Sequence, residues 1–257
     1  MTTAPVRLPP AVRAASPARS VWHRLWFGWD LLWSAVFSLA LSPGVVAQSA
    51  VRPTARTLRT WMRPWGRGIL ALSRIHLHVI ERSPMPEGPV VFVANHQNAL
   101  DIPATVAGLP RPFLFLARHE LRSWPVVGWV LEKTACIFIR RDNPRQALAS
   151  LQRAGERIRG GESVLLFPEG GRSYSHQLAP FMRGPFLLAI EAGVPVVPVT
   201  LAGHTGVMDE RARLARPGAI ALVIGAPIPT AGLGRREAGA LGDRVREVIE
   251  TELRPLV

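Results

Sequence analysis

A histidine and a carboxylate five positions apart, His96 and Asp101, stand in the stretch VVFVANHQNALDIP, where an apolar run gives way to polar residues. Histidine is the side chain best suited to take a proton near neutral pH, and a carboxylate beside it fixes its tautomer and stabilises the imidazolium. On one helix the two side chains would sit about 140° apart and could not meet. They pair only if the chain turns between them. Asp101 before Ile102-Pro103 has the form of a helix N-cap with Pro in the first turn, giving strand, His-bearing turn and helix in that order. A surface histidine beside an ordinary cap is the alternative, and this segment alone leaves both open.

No second nucleophile competes with that pair. The sequence has no Gly-x-Ser-x-Gly elbow, and its single cysteine, Cys136, lies in a strand-like run and reads as a core thiol. One cysteine excludes an intramolecular disulfide and a Cys-based metal cluster, and it fits a reducing compartment. His76 and His78 share one face of a strand with no third ligand near in sequence, so no metal site is expected.

The elements that must position His96 alternate in kind. Short β-rich runs occupy Ile75–Ile80, Val90–Ala94, Phe113–Ala117, Ala135–Ile139, Val164–Phe167, Val196–Leu201 and Ile220–Ile224. Helix-like stretches separate most of them: Asp101–Gly108, Ser123–Lys133, Pro144–Arg159, Phe186–Ala192 and Arg235–Leu253. Strands apolar throughout, separated by helices, predict an α/β fold with a mainly parallel or mixed sheet flanked by helices. Ligands in such folds gather at the carboxyl ends of the strands. Asn95-His96, Arg140-Arg141-Asp142 and Pro168 to Ser173 each come directly after a strand, so a parallel sheet brings one His, one Glu, an Asp and several Arg to one rim.

The N-terminal part differs. Of the net charge of +13, +9 lies in residues 1–80, which hold ten Arg against Asp30 alone. Leu25 to Leu41 is a 17-residue apolar run, the lower limit for spanning a bilayer, and Ser42-Pro43-Gly44 separates it from Val45 to Ala47. Trp22, Trp26, Trp29, Trp33 and Phe37 fall within about 80° of a helix, with His23, Asp30, Ser34 and Ser38 on a neighbouring arc. Arg52, Arg56, Arg59, Arg63, Arg67 and Arg74 form a second stripe, opposite Leu58, Trp61, Met62, Trp65, Ile69 and Leu72, in a helix that Pro64 must kink or restart. An interfacial Trp stripe and a basic amphipathic helix predict association with an anionic membrane surface, spanning or as an in-plane hairpin. A buried Trp stripe, a merely solvated Arg face, or a signal peptide ending near Ala47 are the alternatives. Arg on both sides of the apolar run assigns no orientation. Nucleic acid as a partner is disfavoured, because the Arg stripe backs onto an apolar one and no nucleic-acid module is recognisable. The expected organisation is a disordered basic tail over 1–20, membrane-associating helices over 21–74 and an α/β domain over 75–257.

Four blocks together are more specific than any one. NHQNALD resembles the Asn-His-x4-Asp motif of the glycerolipid acyltransferases, the family containing 1-acylglycerol-3-phosphate acyltransferase; CIFIRRDN, FPEGGRS and VPVVPVTL resemble its second, third and fourth blocks, in family order over about residues 75–205. The resemblance implies acyl transfer from acyl-CoA or an acyl carrier protein thioester to the free hydroxyl of 1-acylglycerol-3-phosphate, giving phosphatidic acid, without a cofactor. It implies His96 as general base, Asp101 as its orienting acid, and Arg141 and Arg172 as holders of the acceptor phosphate. Arg118, standing where the family often carries Lys, adds a third charge, and Glu169 with Gly170 resembles the acceptor-site element. The cytoplasmic face of the inner or plasma membrane is the location it implies. Ala135, Arg140, Gly171 and Met182 depart from the residues usual at their motif positions, and most of them border the acceptor site that the resemblance implies. Another lyso-lipid acceptor, a lysophospholipid or lyso-aminolipid, therefore stays open. A non-enzymatic lipid-binding protein is the reading from another class, and it has no use for a base and its orienting acid.

Overall fold

Seven apolar runs become seven strands of one sheet. The computed structural model describes residues 20–49, 55–123, 128, 131, 136–140 and 144–254. The strands are β1 (Ile75–Glu81), β2 (Val91–Ala94), β3 (Phe113–Arg118), β4 (Ile137–Ile139), β5 (Ser163–Leu166), β6 (Val196–Ala202) and β9 (Gly218–Ile224). Two short strands, β7 (Met208–Asp209) and β8 (Leu214–Ala215), form a separate antiparallel ribbon with no counterpart among the runs expected from sequence. Across the sheet the order is β1-β9-β6-β2-β5-β3-β4. Strands β6, β2, β5, β3 and β4 run parallel, whereas β9 meets β6 antiparallel and carries β1 parallel to itself. The sheet is mixed.

Helices α1 (Val21–Ser49), α2 (Ala55–Leu72), α3 (Asp101–Gly108), α4 (Pro144–Arg159), α5 (Gly184–Ala192) and α6 (Ala238–Leu253) surround it. Most of the helix expected over 123–133 lies outside the described residues, as do residues 1–19. Alternation along the central strands divides the core in two. Val91 and Val93 of β2 join Ala154, Ile158, Phe186 and Ile249 from α4, α5 and α6, while Phe92 and Ala94 join Val106 and Leu109 on the α3 side. Burial on both faces is why these strands read as continuous apolar runs.

Helices α1 and α2 form an antiparallel hairpin. Gly44 of α1 lies under the Trp61 ring and Gly68 of α2 under the Phe37 ring, so a Cβ at either glycine would collide with its neighbour. Between them Trp65 Nε1 donates to Ser38 Oγ at 2.8 Å. α1 continues past Ser42-Pro43-Gly44, and α2 runs through Pro64 as one helix and does not restart there. The close glycine–aromatic packing offsets the backbone bond each Pro forgoes. The polar arc of α1 faces protein, with Asp30 buried. Its other side leaves Trp22, Leu25, Trp29, Leu32 and Val36 exposed to solvent.

The Arg stripe of α2 is only partly available. Arg56 and Arg67 are exposed, but Arg59 donates to the Pro110 carbonyl and Arg63 is half-buried. Arg74 lies 5.4 Å above the Trp26 ring, and Arg52 lies outside the described residues. The hairpin also enters the core of the sheet layer. Ile69 and Leu70 are buried, Gly66 lies against Pro103 and Val106 of α3, and the Ala55 amide donates to Glu162 at 2.8 Å.

Candidate active site

His96 leaves the carboxyl end of β2, Glu169 follows β5, Arg118 ends β3 and Arg140 follows β4, so parallel pairing sets all four on one rim. His96 and Asp101 meet: Nδ1 of the ring lies 2.6 Å from Oδ2 of the carboxylate. Asp101 is not the N-cap expected of it. It is the first residue of α3, Leu100 takes the cap position, and the carboxylate turns back to accept the amides of Gln97 (2.6 Å) and Asn98 (3.0 Å). As a cap, that carboxylate would serve α3; here it serves the turn that carries His96.

Asp101 is fully buried, and burial alone pushes a carboxyl pKa up. The contacts of His204 and His96 outweigh that and bring it down to about 2. The group is thus an acceptor, so the proton of a neutral His96 ring belongs on Nδ1, which leaves the Nε2 lone pair free. The Phe167 ring stacks on the imidazole at 4.1 Å between centroids, 20° between planes, and holds its plane. The His96 side chain keeps 14% of its surface exposed, enough to meet a substrate.

Because the native pKa of Asp101 lies below the usual 3.8, its charge stabilises the fold above about pH 4. That contribution, roughly 2 kcal/mol, drains away as pH falls from about 4 to 2. Denaturant midpoints measured across this window should slope steeply in the wild type and less in Asp101→Asn.

Glu169 touches the turn from the other side. Its Oε1 accepts the His96 amide at 2.7 Å and its Oε2 the Ala179 amide at 2.8 Å; burial raises its pKa, and those two bonds counter the rise. Both oxygens hold backbone, so its carboxylate serves the catalytic turn before it serves any ligand. Gly170 takes φ 76°, a left-handed conformation that lets the loop reverse after Glu169. The Ser173 and Tyr174 amides then donate to the carbonyls of His96 (2.8 Å) and Gln97 (3.1 Å).

The arginines are less concentrated than the sequence suggested. Arg172 donates to Glu210 Oε2 at 3.1 Å, and Glu210 Oε1 accepts the Ala99 amide, so this guanidinium is tied to the catalytic turn. Arg118 is 59% exposed at the end of β3, two strands from β2, with Glu120 as a 3.4 Å partner. Arg141 lies outside the described residues.

Three residues make contacts at the site that the sequence did not reveal. Asn95 clamps the Leu201 backbone through both amide atoms, at 2.7 and 2.9 Å. Phe167 stacks on the base, though its place just before Pro-Glu-Gly could have suggested it. His204 lies 2.6 Å from Asp101, and its position after an apolar strand, like that of His96, was the available signal. Burial pushes the Cys136 thiol up to about 12, and its Sγ–H donates to the Phe115 carbonyl at 3.3 Å. Cys136→Ala should keep turnover within about threefold, and the native thiol should resist alkylation at neutral pH. A collapse of turnover with the fold intact would give Cys136 a part in the chemistry.

A buried carboxylate orients a partly exposed imidazole, and among the described residues no hydroxyl or thiol bonds that ring. An imidazole held in this way can take a proton from a hydroxyl brought to it. The acyltransferase family model matches residues 74–202, half of the chain, and the chain belongs to that family. It is 36% identical over 176 residues to a 1-acyl-sn-glycerol-3-phosphate acyltransferase of Chlamydomonas reinhardtii, covering 68% of this chain and 52% of the algal protein. Over 168 residues it is also 36% identical to the lyso-ornithine lipid O-acyltransferase of Pseudomonas aeruginosa, covering 59% of this chain and 64% of that one. The chain spans about half the length, or less, of the first curated relatives it matches. A crystal structure of the 1-acyl-sn-glycerophosphate acyltransferase of Thermotoga maritima shares the fold, with TM-score 0.78 at 23% identity over 93% of this chain and 98% of that one.

Proposed function

We propose that this chain moves a fatty acyl group from a thioester, acyl-CoA or acyl carrier protein, to the free hydroxyl of 1-acylglycerol-3-phosphate, forming phosphatidic acid. The observation that carries this reading is the His96–Asp101 pair on the rim of the acyltransferase fold. Nε2 of His96 takes the hydroxyl proton as the oxygen attacks the thioester carbonyl. The ester C–O bond forms, the C–S bond breaks, and the proton passes to the departing sulfur. Asp101 stabilises the imidazolium between the two transfers.

Arg172, Arg141 and Arg118 are proposed to hold the acceptor phosphate through charge-assisted bonds. Arg172 would share its guanidinium between that phosphate and Glu210. Residues 75–257 carry the chemistry, and residues 21–74 carry the membrane contact. α1 supports the latter, being apolar enough over Val21–Gly44 to cross a bilayer and little buried in the fold. A thioester donor made in the cytosol places the site on the cytoplasmic face. A lyso-aminolipid acceptor is the second reading, favoured by the bacterial relative and by Gly171 and Met182 in the acceptor-side blocks.

Purified protein with acyl thioester and a panel of lyso-lipids, read by mass spectrometry, tests both. Phosphatidic acid as the main product supports the first reading. Acylation of a lyso-aminolipid alone establishes the second, and no acylated product from any acceptor overturns both.

A further inference from the structure

One carboxylate lies between two imidazoles. β6 ends at Ala202, Gly203 takes φ 82°, and the chain turns into a short helical segment, His204–Val207, that places the His204 ring wholly inside the protein. Its Nδ1 sits 2.6 Å from Oδ1 of Asp101, the oxygen that His96 does not use. The backbone of His204 is itself pinned from the catalytic turn. Asn98 Nδ2 donates to the carbonyls of His204 (2.9 Å) and Met208 (3.0 Å), while the Asn98 amide donates to Asp101 Oδ2.

The two oxygens of Asp101 are served very differently. Oδ2 has three donors: the His96 ring and the amides of Gln97 and Asn98. Oδ1 faces only the His204 ring among the described residues, in a contact close in distance but without full hydrogen-bond alignment. A buried carboxylate oxygen with no donor is costly, and a carboxylate free to rotate would exchange the oxygen it offers to His96. Facing an ionised carboxylate, an Nδ1–H on the inner ring is the tautomer that would serve Oδ1.

We infer that His204 is a positioning residue: its Nδ1–H holds Oδ1 of Asp101 from behind, keeps Oδ2 on His96, and so sets the pH at which His96 works as a base. The inference rests on the reading of His96 as the general base. Two further titratable groups bear on it. Glu169 faces both His96 and Asp101 through the His96 amide, and His176 contacts Thr205 Oγ1, next to His204. The Arg172–Glu210 pair reaches the turn at Ala99. None of these donates to Oδ1.

Two variants and one spectrum test it. Asn at 204 can place an amide N–H near the position of Nδ1, whereas Leu removes the donor. His204→Leu should lower kcat/KM about 10–100-fold, the effect of losing one bond to a charged group, and displace the acid limb of the pH profile. KM for donor and acceptor should stay level. His204→Asn should restore both rate and limb. Independently, 15N-histidine NMR of the unaltered protein should find His204 as the Nδ1–H tautomer. Unchanged rate and profile in His204→Leu would overturn the inference. So would an Nε2–H tautomer, or equal loss in both variants with no movement of the limb. The spectrum keeps the test alive should His204→Leu fail to fold. Retention of activity by His96→Ala is a separate failure, since it removes the base and leaves the His204 tautomer untouched.

Discussion

His96→Ala should lose transfer by at least about 10²–10⁴-fold, the usual worth of a general base, with little change in stability. The change removes a partly exposed ring whose main partners are Phe167 and Asp101. Its backbone bonds to Glu169 and Ser173 persist, and Asp101 keeps His204 and two amides. Asp101→Asn should also lose transfer, by about 10²-fold or more, by another route: the Gln97 and Asn98 amides keep the Asn oxygen on their side, and the imidazolium loses the charge that stabilises it. Turnover by purified, folded His96→Ala close to that of the wild type would place the base elsewhere.

Replacing Trp22, Leu25, Trp29 and Leu32 with Gln should abolish binding to liposomes. Each exposed side chain that enters an apolar phase contributes roughly 1.5–3 kcal/mol, so four together are worth at least about 10³-fold in partitioning. Activity on acceptor embedded in a bilayer should fall in parallel, while activity on a short-chain, water-soluble acceptor should persist. Deleting residues 1–74 is a poorer experiment, because α2 supplies Ile69 and Leu70 to the core and packs its Gly66 on α3. Changing Arg56 and Arg67, the exposed arginines of α2, to Gln should weaken flotation with anionic vesicles more than with neutral ones, by about 1 kcal/mol each. Undiminished binding by the four-residue variant would assign the exposed face of α1 to a different partner.

The centre of the sheet was legible because its strands are buried on both faces, and a run such as VVPVTL is too short for a helix and too apolar for a loop. His96 and Asp101 were legible from residue type and spacing. The role of Asp101 in the turn was half legible: Asp before Ile-Pro imitates a cap, and only three-dimensional placement reveals that its oxygens point backward. Pro43, and the restart expected as one option at Pro64, misled for a different reason. Local backbone preference argues for a break, but Trp61 on Gly44 and Phe37 on Gly68 are contacts between positions far apart in sequence, and they decide the outcome. His204 was hidden likewise, since its partner Asp101 lies more than a hundred residues away. Strands of two residues, β7 and β8, are too short to carry a pattern.

Every amide from His96 to Asp101 has an acceptor within the protein. Glu169 takes that of His96, Asp101 those of Gln97 and Asn98, and Glu210 that of Ala99; Asn98 receives Leu100 on its side chain and Asp101 on its carbonyl. A loop with its donors so fully engaged does not breathe as loops do. Opening it means breaking several charge-assisted bonds at once, so its amides should exchange with solvent on the timescale of the central strands. The proposed base would then be assembled before any substrate arrives, with little to reorganise at the reacting centre. Acid is its solvent: three carboxylates hold four of the six amides, and protonating them loosens the loop from within.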